Sequence, residues 1–326
     1  MPARDIIVVG ASAGGVETLM RLFKPLQPDL PAAFFVVMHV SAQTRSLLPD
    51  LLTRAGHIPA RHAIDQEQIE HGRIYVAPPD YHLLIEDGRI RLSHGPKENR
   101  HRPAIDPLFR TAAEQHGGKA IGIILSGTMD DGSTGLKEIK RHGGLAMVQD
   151  PDEALYPDMP RNACAVTRPD FCLPVAEIGS TLPTLIRKPV KEGVMRNGSK
   201  DRGMKPEDKR IKTAKEVGRE LGSPSGFVCP ECNGPLWAMQ DGKVLHYRCL
   251  VGHAYAPQNL FAAQTAEVER ALWIALRTLE ERVELQRQLS ERAKKHKRSF
   301  ATRQFLSKSQ ENARHARIIR RVLEKL

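Results

Sequence analysis

Residues 6–15 read IIVVGASAGG, an apolar run followed by a glycine-rich turn that holds a single serine. The unbroken run Ile6–Val9, with no polar alternation, predicts a strand buried on both faces. The next stretch, Val16–Leu26, has helical spacing, so the turn joins a strand to a helix. Such a turn can cradle a phosphate, present the serine as a nucleophile, or simply reverse the chain. A dinucleotide turn needs G-x-G-x-x-G and a P-loop needs G-x-x-x-x-G-K-[ST]. Neither fits, because Ser12 holds the middle glycine position and no lysine follows Gly15. Gly10-Ala11-Ser12-Ala13-Gly14 does fit G-x-S-x-G, the strained strand-to-helix elbow of nucleophilic serines. On its own the turn leaves nucleophile, anion cradle and plain turn open.

Outward from this turn, short apolar runs alternate with helical stretches as far as residue 187. Strands are expected at Asp5–Gly10, Ala33–His39, Arg73–Ala77, Ala120–Ser126 and Leu145–Gln149, with a short one near Phe171–Leu173. Helices are expected at Val16–Leu26, Leu47–Ala55, Pro107–His116, Gly132–His142, Pro160–Val166 and Ile178–Arg187. Apolar strands separated by helices predict an α/β fold, a doubly wound, mostly parallel, Rossmann-like sheet. His82–Glu86 and Arg89–Ser93, with Asp87-Gly88 between them, read as an antiparallel hairpin inserted into that order.

The chain has 326 residues, 40% apolar and 27% charged, which suits a globular protein. It lacks a run of 18 apolar residues, so no membrane insertion is expected. The first strand begins almost at once, which leaves no room for a signal peptide and points to a cytoplasmic location. The net charge is +11, of which residues 187–222 carry +6 and residues 261–326 carry +8. The basicity therefore belongs to a linker and a tail, and the remainder is slightly acidic. Four segments follow: an α/β domain over 1–187, a flexible basic linker over 188–225, a cysteine/histidine module over 226–257 and a helical tail over 258–326. A helical turn is expected within the linker around Lys212–Leu221. The tail, with Val268, Leu272, Leu276, Leu279 and Val283 at helical spacing, reads as a helical hairpin or a dimerising pair.

A nucleophilic serine needs a base and a group that orients the base. His39 ends the second strand, and the strand Ile121–Ser126 leads into Gly127-Thr128-Met129-Asp130-Asp131-Gly132. In an open parallel sheet the carboxyl ends of neighbouring strands meet at the ligand crevice. Ser12, His39 and an aspartate would then share one edge. A buried structural histidine and an aspartate capping the helix after Gly132 are the plainer alternatives.

The chain resembles the catalytic domain of the CheB-type chemotaxis methylesterases over roughly residues 4–186. The likeness rests on IIVVGASAGGVETL, VVMHVS, GRIYVAPPDYHLLI, RPAIDPLFRTAA, GIILSGTMDDGSTGLKEIKRHGGLAMVQDP and MPRNA. It implies a protein-glutamate methylesterase, with glutamine deamidase activity in many members, that acts on methylated chemoreceptor helices. It also implies a Ser-His-Asp triad of Ser12, His39 and Asp131, with Asp130 the weaker candidate, and an oxyanion hole from the backbone amides of Thr128 and His39. Arg102 and Arg161 fall in family-like blocks; steering of an acidic receptor helix is one role open to each, and a surface salt bridge is the plainer reading. The chain departs from the family at Thr128-Met129 and at Val40-Ser41. It begins too close to the first strand for the receiver domain that many members carry, so regulation is expected to fall to the module and tail.

Of five cysteines, Cys229-Pro-Glu-Cys232 and Cys249-Leu-Val-Gly-His253 have the spacing of a zinc ribbon. Cys229, Cys232, Cys249 and His253 would close a tetrahedral site, so the expected cofactor is one structural zinc, with none for catalysis. His246 fits the spacing less well. The tail is expected to bind other chemosensory proteins or a second copy of the chain. Two rival functions remain in the sequence: a catalytically silent chemosensory scaffold, and nucleic-acid binding through ribbon and tail. The ribbon has few basic residues and the tail mixes both signs, which disfavours nucleic acid.

Overall fold

The computed structural model describes residues 4–40, 46–189, 222–241 and 244–325. Most of the expected linker, its helical turn and Ser41 lie outside the described residues. Seven strands form a parallel sheet: β1 (Ile6–Ala11), β2 (Ala33–Met38), β3 (Ala60–His62), β4 (Arg73–Val76), β7 (Ala120–Ile124), β8 (Leu145–Gln149) and β9 (Phe171–Leu173). The hairpin β5 (His82–Glu86) and β6 (Arg89–Ser93) pairs antiparallel and stands apart from that sheet. The strand order is β3-β4-β2-β1-β7-β8-β9, so β1 lies between β2 and β7.

The unbroken apolar run of β1 is explained by two covered faces. Ile7, Val9 and Ala11 join a core built with Leu19, Leu22 and Phe23 of α1 (Gly15–Phe23), Leu52 of α2 (Leu48–Ala55) and Leu182 of the helix Val175–Arg187. Ile6 and Val8 join a second core with Leu108 and Phe109 of α3 (Ile105–His116), Leu136 and Ile139 of α4 (Ser133–Arg141), and Leu83 and Ile85 of β5. Helices on both faces make the sheet doubly wound, as the pattern of apolar runs implies. The chain leaves β1 toward β2 on one side and returns at β7 on the other. A crevice is expected where the order reverses, at the carboxyl ends of β1, β2 and β7.

After α5 (Asp158–Thr167) and α6 (Val175–Arg187), a second, antiparallel sheet has the order β10-β11-β12-β13. Its strands are β10 (Ser223–Val228), β11 (Pro235–Asp241), β12 (Val244–Cys249) and β13 (Ala254–Tyr255). β10 begins inside the stretch read as linker. Ser223, Pro224, Ser225 and Gly226 have poor strand propensity. Ser223 and Pro224 pair with Ala238 and Trp237 of β11, the register then slips past Gly226, at φ +77°, and pairing resumes at Val228 with Pro235. Compactness divides the chain after Leu260, with Met1–Leu260 as one unit and Phe261–Leu326 as the other. α7 (Pro257–Lys295) begins in the first unit and continues through the second, where it and α8 (Ser299–Leu323) run antiparallel as a hairpin. The Ser290 hydroxyl donates to the Thr302 carbonyl, the Ser309 hydroxyl to the Val283 carbonyl, and Arg320 pairs with Glu280. Among the described residues no helix is long and apolar enough to cross a membrane.

Candidate active site and metal centre

Ser12 directly follows β1, His39 follows β2, and Asp131 lies in the loop between β7 and α4. The serine turn is held at both ends: Gly15 N–H donates to the Ser12 carbonyl and Ser12 N–H to the Ser126 carbonyl, each at 2.9 Å. Gly14 has φ +71°, and a Cβ there would stand 3.0 Å from the Ser126 hydroxyl. Gly127 lets the loop after β7 run beside the serine, since a Cβ on it would meet the Ser12 Cβ at 2.9 Å. The two glycine-bearing turns therefore brace each other, and Ser12 stays half-buried rather than sealed.

His39 Nδ1 lies 3.1 Å from Ser12 Oγ, and His39 Nε2 lies 2.7 Å from Asp131 Oδ2. The His39 side chain is 6% exposed and that of Asp131 2%. Asp131 sits where α3 begins, so it accepts from the Ile105 amide at 2.7 Å and the Asp106 amide at 3.3 Å. The Asn99 side-chain amide donates to its other oxygen at 2.9 Å. Burial by itself would raise the Asp131 carboxyl, but the His39 bond and charge, then the Ile105 amide and Asn99, hold it below the usual carboxylate range. An ionised Asp131 accepts only, so the Nε2 proton faces it and Nδ1 is left as acceptor for the Ser12 hydroxyl. His101 stacks on His39 with centroids 3.6 Å apart and planes 6° from parallel. Burial, and then the neighbouring His39, press the His101 imidazole down to about 3, so a neutral ring faces His39.

Asp130, one residue earlier, is turned elsewhere and accepts from the Asn259 side chain. Neither aspartate caps α4, whose N-cap is Gly132 without a side-chain bond; the capping alternative is corrected here. Burial, and next the charge of Asp131, push the Asp130 carboxyl up to about 6, partly offset by Asn259. A raised folded value favours the protonated form, so the stability tied to Asp130 is present below about pH 4 and is lost as pH rises through about 6. Asp130→Asn should therefore raise the melting temperature by a few degrees at pH 7.5 and leave it unchanged at pH 4. Equal melting-curve shifts at the two pH values would refute this.

The expected oxyanion amides fare differently. His39 N–H donates to the Ala11 carbonyl at 3.3 Å, which corrects its assignment as a donor: the β1–β2 ladder already takes that hydrogen. Thr128 is exposed, directly after Gly127, and Met129 adopts φ +66° with its carbonyl held by Asn162 Nδ2 at 2.7 Å. Arg102 makes the expected salt bridge: its Nε and Nη2 reach Asp80 Oδ1 at 2.9 and 2.8 Å. Arg161 is exposed on α5. Sequence reasoning missed Asn99 and His101, in the stretch before α3, and Asp106, the second residue of α3, all within NRHRPAID. The available signal was a polar cluster leading into an otherwise apolar helix start. Burial, and next the Asp131 charge, push the Asp106 carboxyl well up, and its Oδ1 accepts from the Gly135 amide at 2.7 Å.

The four ligand atoms of Cys229, Cys232, Cys249 and His253 all lie within 4.8 Å of one another. Cys232 and Cys249 sulfurs are 3.6 Å apart, and His253 Nδ1 is 3.7 Å from Cys229 Sγ and 3.5 Å from Cys249 Sγ. Ligand bonds of ~2.3 Å to sulfur and ~2.0 Å to nitrogen in a tetrahedron give edges of roughly 3.5–3.8 Å. These residues are thus close enough to hold a metal ion, and the three distances given match tetrahedral edges. His246 lies outside the group.

The sequence profile of the CheB methylesterase family matches residues 7–182. A protein of Leptospira interrogans carrying the name protein-glutamate methylesterase/protein-glutamine glutaminase is 42% identical over 179 residues, 53% of this chain and 91% of its own. One of that name from Anaeromyxobacter dehalogenans is 35% identical over 190 residues, 57% of this chain and 56% of its own. The crystal structure of the Thermotoga maritima CheB methylesterase catalytic domain superposes with TM-score 0.54 at 30% identity, over 57% of this chain and all of that one. With the family profile matched over more than half of its length, the chain belongs to the CheB methylesterase family.

Proposed function

We propose that this chain is a protein-glutamate methylesterase that hydrolyses glutamate methyl esters on chemoreceptor helices through Ser12, His39 and Asp131. The observation that carries the proposal is the unbroken relay from Ser12 Oγ through His39 Nδ1 and Nε2 to a buried, ionised Asp131. Ser12 Oγ attacks the ester carbonyl as His39 Nδ1 takes its proton, and the Nε2–H bond to Asp131 supports the imidazolium. The tetrahedral oxyanion is met by the Thr128 amide. In place of His39, the second donor is the amide after the nucleophile, as elbows of this kind use; here that is Ala13. His39 gives the proton to the departing methoxide, so methanol leaves an acyl-Ser12. Water, its proton taken by His39, then attacks the acyl carbon, and the proton returns to Ser12 Oγ as the glutamate is freed. An amide substrate follows the same route with ammonia leaving, which would make the chain a glutamine deamidase as well. The test is methanol release from methylated receptor membranes by the full chain. No release above the level of Ser12→Ala protein would reject the proposal.

The four-residue metal centre is read as a structural zinc site held by Cys229, Cys232, Cys249 and His253. A bound ion there would supply folding energy to a module with few large buried side chains, and four protein ligands leave no open position for catalysis. One zinc per chain is expected by atomic absorption of protein purified without chelator, falling well below one in Cys249→Ser. A metal-free, fully folded protein would contradict it. The helical hairpin leaves Trp273, Ile274, Leu285 and Phe300 exposed, which supports a role in partner docking or self-association, read by solution mass.

A further inference from the structure

We propose that Asn99 is a positioning residue through which the metal-ligating module holds the Asp131 carboxylate, so that filling the Cys229–Cys232–Cys249–His253 set governs the alignment of the triad. This rests on the reading of Ser12, His39 and Asp131 as the esterase triad.

Asn99 is 4% exposed and uses both ends of its side chain. Its Nδ2 donates to Asp131 Oδ1 at 2.9 Å and to Asp106 Oδ2 at 3.0 Å, while its Oδ1 accepts from the Ala256 amide at 2.9 Å. Its main-chain N–H donates to the Ala254 carbonyl at 2.8 Å. The residue sits at φ +49°, a left-handed conformation that asparagine tolerates better than most side chains. Only a side-chain amide offers two donors to a pair of carboxyls and an acceptor to a backbone N–H. Aspartate would set a third carboxyl against Asp106 and Asp131, and serine is too short to span the gap.

The far side of this bridge is the end of the metal module. Ala254 and Ala256 follow the ligand His253 by one and three residues, and β13 is the edge strand of its sheet. Its free edge meets the segment 97–99: Ala254 bridges Glu98 in parallel, and Ala254 N–H reaches the Lys97 carbonyl at 3.3 Å. Ion pairs flank the seam, Lys97 with Glu231 at 3.1 Å and Arg248 with Glu98 at 3.6 Å. Glu98 also pairs with Arg110 of α3 at 2.9 Å, the helix whose first amides hold Asp131. The module buries few large side chains of its own, mainly Leu236, Trp237 and Tyr255, so its edge strand depends on the ligand set for its shape. Just beyond, Asn259 binds Asp130, and Gln258 meets the Asn162 amide that also holds the Met129 carbonyl at 2.7 Å. The loop carrying Asp131 is thereby gripped from two sides by residues that follow the last metal ligand.

The test is a double-mutant cycle in the full-length chain: wild type, Asn99→Ala, Cys249→Ser and the double variant, each with its zinc content measured. Steady-state methanol release and amide hydrogen exchange over residues 99–106 and 128–136 are read on all four. Loss of metal in Cys249→Ser should lower kcat about tenfold or more with KM nearly unchanged, because a misplaced triad group costs rate rather than binding. Exchange in both segments should quicken while β1, β2 and β7 stay protected. In the Asn99→Ala background the same loss of metal should add little. Unchanged kcat and exchange in Cys249→Ser, or the same factor in both backgrounds, would overturn the proposal. Should Asn99→Ala fail to fold, Ala256→Pro removes the amide that binds Asn99 and leaves both Asn99 and the ligands in place; it should mimic metal loss, and wild-type behaviour would overturn the link. Absence of any Ser12-dependent hydrolysis in the loaded wild type would reject the esterase reading instead. The exchange cycle would then still decide the link by itself, quickened exchange supporting it and unchanged exchange overturning it.

Discussion

Replacing Ser12 by alanine should lower methyl-ester hydrolysis by about 10⁴- to 10⁶-fold while leaving the fold intact, since triad members act as a unit. The substitution removes one oxygen from a half-buried turn. The bonds that shape the turn are main-chain ones, from Gly15 N–H to the Ser12 carbonyl and from Ser12 N–H to the Ser126 carbonyl, and alanine keeps both. The melting temperature should therefore stay close to that of the wild type, which separates loss of chemistry from loss of structure. His39→Ala should cost a similar factor and add little when combined with Ser12→Ala, because a base without a nucleophile has nothing to deprotonate. Near-normal turnover in Ser12→Ala would eliminate the acyl-enzyme route and with it the proposed function.

Asp131→Asn should lower kcat by roughly 10⁴-fold, as loss of the orienting carboxylate does in serine triads, whereas Asp130→Asn should leave it near wild type. The carboxylate of Asp131 faces only donors: the Ile105 and Asp106 amides, Asn99 Nδ2 and the His39 ring. An asparagine has one acceptor oxygen for this ring of donors, so its NH₂ group must face some of them. Against His39 it would force the ring proton onto Nδ1, and an N–H would then point at Ser12 where an acceptor is required. Against the helix amides it would leave buried donors unpaired, which costs stability as well. Asp130 makes no such demands, because an asparagine there still offers an oxygen to Asn259. Rates measured at matched protein stability would decide between the two aspartates, and a larger loss at Asp130 would move the assignment.

Reading the sequence went furthest where local chemistry is self-sufficient. The unbroken apolar run of β1 demands two covered faces, the small residues around Ser12 demand a tight elbow, and Cys-x-x-Cys with Cys-x-x-x-His has the spacing of metal ligands before it has a fold. Alternating runs and helices were likewise enough for a doubly wound sheet, since period alone distinguishes a strand buried on both faces from an amphipathic helix. Elements with little period of their own were not legible. β3 is three residues, two of them Arg61 and His62, and exists as a strand because β4 offers it a ladder. β10 is likewise made by its pairing with β11.

Within the site, residue types alone placed a serine, a histidine and an aspartate at three strand ends; between the two neighbouring aspartates only the family resemblance, with its aspartate before a glycine, favoured Asp131. Which one meets His39 depends on how the loop after β7 is folded back by Gly127 and held by α3. Apart from that resemblance, nothing in the residue types of Thr128–Gly132 contains that. His101 and Asn99 were invisible for the same reason, as their roles come from stacking and from bonds to distant segments. Asn99 meets Ala256 across 157 residues of chain. The sequence alone thus determined the strand, the elbow, the ligand spacing and the kinds of chemistry available. Only the tertiary structure decided which carboxylate is desolvated and ringed by donors, which way the imidazole turns, and that the cysteine/histidine module bonds Asn99 beside Asp131, because a hydrogen bond between remote segments leaves no periodic trace in either one.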